Sequence, residues 1–213
     1  SVVLAALSAW GDDPTPSGLG GYAGPRPEFH INLFLNDTWP LRIVPEFEMG
    51  AGVGSSGGIF AESTNYQAYT QTHAIANALR VGYGATIHTH QWFRDAGLWL
   101  IQQVQSDLQH QLEWGEQPAD ATATANRRFN EKLVMATGLP GALTVAEKAF
   151  VYYLADQCTT TGVTPLGLAH IPMFRDLAIA PINNTSSIGT SYWSDGAYLL
   201  THRQSWTPAS SVV

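Results

Sequence analysis

Apolar residues return at three- and four-residue steps between Trp92 and Trp114. Phe93, Ala96, Leu100, Val104, Leu108 and Leu112 are separated by Arg94, Gln102, Gln103, Gln105, Asp107, Gln109 and Gln111. That period predicts one long amphipathic helix, entered through His88 and His90 and closed by Gly115. Its polar stripe is nearly all glutamine, which suits a face laid against another subunit or layer better than a face in water. Alternation replaces the helical period in EFHINLFL and LRIVPEFEM, where Phe29, Ile31, Leu33 and Leu35, then Leu41, Ile43, Phe47 and Met49, share a side. With NDTWP between them the two runs predict a β-hairpin, its second strand confined by Pro45 to an edge or bulge. Ala78 to Ile87 predicts a strand leading back into the long helix.

Downstream, a helical piece is expected around Ala125 to Thr137. Thr144-Val-Ala-Glu147 after Pro140-Gly141 has the form of a capping box, in which hydroxyl and carboxylate satisfy each other's orphan amides. It predicts a second, capped helix from Val145 to about Cys158. LAHIPMF, LAIAPI and GAYLLTHRQSW predict short closing strands. Between Gly11 and Pro27 the Gly and Pro density forbids regular helix or central strand. The expectation is therefore an extended N-terminal arm over residues 1–27 and a single α+β domain over residues 28–213.

Composition sharpens the picture at the surface. Charged residues make up 13% of the 213, against roughly 25% in ordinary domains, and Lys132 and Lys148 are the only lysines. A surface so thin in charge repels its own copies little and loses little solvation when buried. That points to an assembly subunit or an extracellular protein. A net charge of −7, with Arg127-Arg128 as the one adjacent basic pair, argues against direct sequence-specific nucleic-acid binding. Cys158 is alone, so no intrachain disulfide forms. The apolar run at the start is too short to cross a bilayer and has no basic flank, so no membrane partner is expected. A start at Ser1 without Met suits a processed product.

Three constellations could carry chemistry. Gly54-Ser55-Ser56-Gly57-Gly58 has the form G-x-S-x-G, which exposes a serine nucleophile when a strand precedes it and a helix follows; Ser56 is the candidate. The same tract holds Gly52-x-Gly54-x-x-Gly57, a dinucleotide fingerprint in form that lacks the following helix and ribose-binding acid. His88-Thr-His90 would place two imidazoles on one side of a strand, with His170 or Asp95 as a third ligand for a divalent transition metal. With Gly82 and the run Pro165 to His170 these residues superficially resemble the cupin metal motifs, departing from them at Asp95, where that family carries glutamate. Asn36-Asp-Thr38 and Asn183-Asn-Thr185 are glycosylation sequons if the chain passes a eukaryotic secretory route.

The order of elements resembles the major capsid protein fold of tailed phages and encapsulins: an arm, a long hairpin, a strand over Ala78 to Ile87 running straight into the Trp92–Trp114 helix, and closing strands. Phe93-Arg94-Asp95 stands where members of that family often carry an acidic residue at the entrance of the spine helix. The resemblance implies a self-assembling subunit of a virion or shell, without cofactor or catalytic residues, whose arm and hairpin contact other copies of itself or other assembly proteins. The alternative is a secreted enzyme, metal-dependent through His88 and His90 or a serine hydrolase through Ser56. The expected location is accordingly the virion or the extracellular space.

Overall fold

The computed structural model describes residues 2–9, 26–52, 54–59, 68–105, 108, 112, 133–158 and 174–206. Among these, helices make up most of the fold beside one antiparallel hairpin, a mixed α+β architecture whose parts differ in several places from the sequence reading. The stretch expected as an arm opens with a helix, α1 (Val2–Ala9), packed on the helices Pro27–Leu33 and Ala68–Tyr83. Residues 10–25, where the Gly- and Pro-dense stretch falls, lie outside the described residues.

The expected hairpin over residues 28–49 is helical instead. α2 (Pro27–Leu33) runs into a π-helical segment (Phe34–Ile43) and then into α3 (Val44–Glu48). Pro27 and Pro45 each stand in the first turn of an α-helix, where proline's missing N–H costs nothing. Ile31, Phe34 and Phe47 are buried, whereas Phe29, Leu33, Leu41 and Met49, half of the apparent strand face, are exposed. Burial follows the helical period hidden inside the alternation. Ala78 to Ile87 is not a strand either, because α4 (Ala68–Tyr83) passes through it and buries His73, Ala76 and Leu79 at three-residue steps. Gly84, at φ +70°, takes the left-handed turn that ends α4.

After a 3₁₀ turn (Ile87–Thr89) comes α5 (Gln91–Gln102). This is the long helix of the sequence reading, cut short at Gln102. Its end is set from far along the chain: buried Arg203 donates to the Val104 carbonyl at 2.7 Å and the Gln102 carbonyl at 2.6 Å, while lying 3.7 Å above the Trp206 ring. A cation on the final carbonyls satisfies them and complements the helix dipole. Gln102 and Gln103, on the glutamine stripe expected to lie against another subunit or layer, are 3% and 0% exposed within the chain's own interior. Gln102 Nε2 donates to the Gly189 carbonyl at 2.6 Å.

α6 (Val145–Cys158) starts as expected. The Thr144 amide donates to Glu147 Oε2 at 2.7 Å, and the Glu147 amide to the Thr144 hydroxyl at 3.3 Å. Residues 133–137 are helical, at the end of the piece expected from Ala125 to Thr137; its earlier part lies outside the described residues. Of the closing strands, β2 (Leu199–His202) is present and pairs antiparallel with β1 (Ser191–Ser194), Trp193 opposite Leu200. Residues 177–182 are irregular rather than strand, and LAHIPMF lies almost wholly outside the described residues. The main core gathers Phe47, Trp92, Phe93, Leu100, Phe150 and Trp206 around α5 and α6. A second cluster, Val3, Ala6, Ile31, Phe34 and Leu79, ties α1 to α2 and α4.

Candidate functional site

The entrance to α5 collects side chains from four helical segments. His90 caps the helix, its Nδ1 accepting the Trp92 amide at 3.2 Å, and its Nε2 lies 3.6 Å from Glu48 Oε1 at the end of α3. The imidazole packs edge-on to Trp39 at 5.8 Å. Trp39 in turn stacks on Phe93 at 6.1 Å, and Phe47 on Trp92 at 4.0 Å. The π segment and α3 thus deliver two aromatic rings onto α5, and α4 adds buried His73, 5.4 Å from Phe93.

Beside this cluster His88, Thr89, His90, Gln91 and Arg94, with Pro140, Gly141 and Ala142, line a cleft of about 460 Å³, within the size range of small-molecule sites. Arg94 is its charged wall. It bonds Glu147 through both terminal nitrogens, Nη2 to Oε1 at 2.7 Å, and donates to the Ala142 carbonyl at 3.0 Å. The Glu147 bond holds the guanidinium above its ordinary pKa. Burial opposes ionisation of Glu147, but the bonds and charge from Arg94 together with the Thr144 bonds outweigh it and keep the carboxyl below its usual range. Desolvation pushes Asp95 the other way, upward, against a bond from Gln91. The cleft therefore offers hydrogen-bonding groups and one cation whose charge Glu147 already matches.

His88 and His90 do not share a strand face. One lies in the 3₁₀ turn and the other is the helix cap, with its Nδ1 engaged. Asp95 accepts from Gln91 at 2.9 Å, and His170 lies outside the described residues. Among the described residues no three His, Cys, Asp or Glu side chains converge as a metal site.

Ser56 follows a helix, α3, rather than a strand. Its amide donates to the Met49 carbonyl, and its carbonyl accepts from the Gly196 amide and the Ser194 hydroxyl. The glycine tract is thus a clasp rather than an elbow. It grips the turn of the hairpin at Asp195 and Gly196, and Gly58, at φ +73°, lies so close on α5 that a Cβ there would run into the backbone of Asp95 and Ala96. Tyr192 of β1 completes the clasp, donating to the Gly57 and Asp95 carbonyls at 2.9 and 3.1 Å; desolvation raises its phenol pKa.

Held in this way, the hairpin presents Trp193 and Tyr198, stacked at 5.9 Å, together with Leu200. All three are more than half exposed. Sequence reasoning did not single out this surface, the Arg94–Glu147 pair or the Trp39 cluster. The last two join residues distant in the chain, whereas the hairpin surface had a local signal: two adjacent large apolar residues, Tyr192-Trp193, before an Asp-Gly turn.

In comparisons with known proteins, no family model, no curated protein and no solved structure matches the chain.

Proposed function

We propose that the protein is a structural subunit that works by associating with further copies of itself. The observation that carries this reading is the stacked Trp193–Tyr198 pair with Leu200 on one face of the hairpin. Large apolar side chains grouped in this way mark contact surfaces, and aromatics dominate the energetics of such contacts. The clasp on Gly50 to Gly58 fixes the face in advance, which lowers the ordering cost of association. A low charge content favours a second copy as the occupant, because two such faces meet with little repulsion. The support comes from this surface and not from the layout resemblance, whose hairpin and returning strand are helical here.

Light scattering of the purified chain tests the reading. A multiple of the 23.0 kDa chain mass is expected, falling at least severalfold in the Trp193→Ser, Tyr198→Ser, Leu200→Thr variant without change in circular dichroism. A wild-type monomer at every attainable concentration would remove the proposal.

A further inference from the structure

We infer that His202 makes the association acid-sensitive: two copies of the chain hold together while its imidazole is neutral and separate when it takes a proton. This rests on the self-association reading and names the regulation of the same hairpin face.

The pairing of β1 with β2 fixes where His202 lies. Residues directly opposite share a face of the sheet, and side chains two positions apart on a strand return to it. Trp193 stands opposite Leu200 and Ser191 opposite His202, so all four project from one side. Burial follows the same division: Ser191, Trp193, Leu200 and His202 are exposed or nearly so, whereas Ser194 and Thr201 on the other side are buried. His202 Nδ1 lies 2.7 Å from the Ser191 hydroxyl. That bond holds the ring on the face, two strand positions or roughly 7 Å from Leu200.

Area decides whether a partner reaches it. Trp193, Tyr198 and Leu200, each just over half exposed, offer together roughly 350 Å², while a stable contact takes about 800 Å² from each partner. A second copy that covers the aromatic pair therefore extends over the Ser191–His202 pair beside it.

No neighbouring group is placed to match a charge on His202. Among the described residues no carboxylate lies within ion-pairing reach of it. Asp195 is in the turn at the far end of the hairpin, its Oδ2 accepting from the Ala51 amide at 3.3 Å. Arg94 and Asp95 belong to α5, under the opposite side with Tyr192, and Arg203 turns inward to the end of α5. Taking an imidazolium out of water into an apolar contact is costly. In a two-fold contact each copy presents the same patch, so two like charges enter together. Association is therefore complete where the imidazole is neutral, and is lost as the pH falls through the range in which imidazoles take a proton.

Light scattering of the full chain from pH 8 to pH 5.5, with circular dichroism at each point, tests this. The wild-type mass is expected to fall at least twofold at unchanged circular dichroism. His202→Gln, neutral throughout, should hold its mass across the series, and His202→Arg, charged throughout, should show the lower mass already at pH 8. A wild-type mass that stays constant to pH 5.5, a His202→Gln mass that falls with it, or a His202→Arg mass equal to wild type at pH 8 would overturn the inference while leaving self-association standing. A wild-type monomer at pH 8 would remove both.

Discussion

Glu147 does three things with one carboxylate. It closes the capping box of α6, pins Arg94 and, through Arg94, shapes one wall of the cleft. Because its native pKa is depressed, the unfolded chain binds the extra proton first as the pH falls. Its contribution is therefore complete above the ordinary carboxylate range and fades as the pH drops through the lower native value. Glu147→Gln keeps the shape and part of the cap but removes the charge. It is expected to cost about 2–3 kcal/mol at pH 7, below the full range for a broken buried pair because Arg94 keeps some contact with water. The difference from wild type should shrink towards pH 3. Urea unfolding at the two pH values measures both effects, and a pH-independent difference would show that the charge is not what matters.

At the scale of elements, α5 shows how an end is set by a distant residue. Apolar spacing continues past Gln102 into Val104 and Leu108, so nothing local stops the helix. Arg203 does, taking the Gln102 and Val104 carbonyls while burial pulls its own pKa down to about 10. Arg203→Ala would leave those carbonyls buried and unpaired, and a loss of about 3 kcal/mol is expected. Arg203→Lys should recover only part of it, since an ammonium cannot span two acceptors in one plane. Thermal unfolding of the two variants separates these outcomes.

The same contrast explains what was legible in the sequence. The Thr144–Glu147 cap and α6 were readable because three residues of spacing contain the whole interaction. In residues 28–49 two periods overlap, and only packing against α1 and α4 decides that Ile31 and Phe34, rather than Phe29 and Leu33, turn inward. Pro27 and Pro45, both compatible with a helix's first turn, were the available signs. Of the candidate site, the sequence pointed to His88, His90 and Asp95 at the entrance of α5 but missed Trp39, Glu147 and the wall from Pro140 to Ala142. Those arrive from other parts of the chain, and no spacing rule reaches that far.

For the molecule as a whole, the scarcity of charge and the apolar hairpin face bear on how association responds to solvent. An assembly held by Trp193, Tyr198 and Leu200 should keep its mass in about 1 M salt, where the screening length falls to roughly 3 Å. An assembly held by ion pairs would fall apart there, and light scattering across a salt series tells the two apart. The π-helical segment, finally, bears on which changes the gene can carry. Along Phe34–Ile43 the wider winding sets the phase at which Trp39 and Phe47 reach α5. Removing one codon would turn everything beyond it by roughly a quarter turn, swinging both rings away from Phe93 and Trp92. Single-letter changes at exposed Asn36 or Leu41 leave that phase intact, so this stretch should drift in spelling across descendants while holding its length fixed.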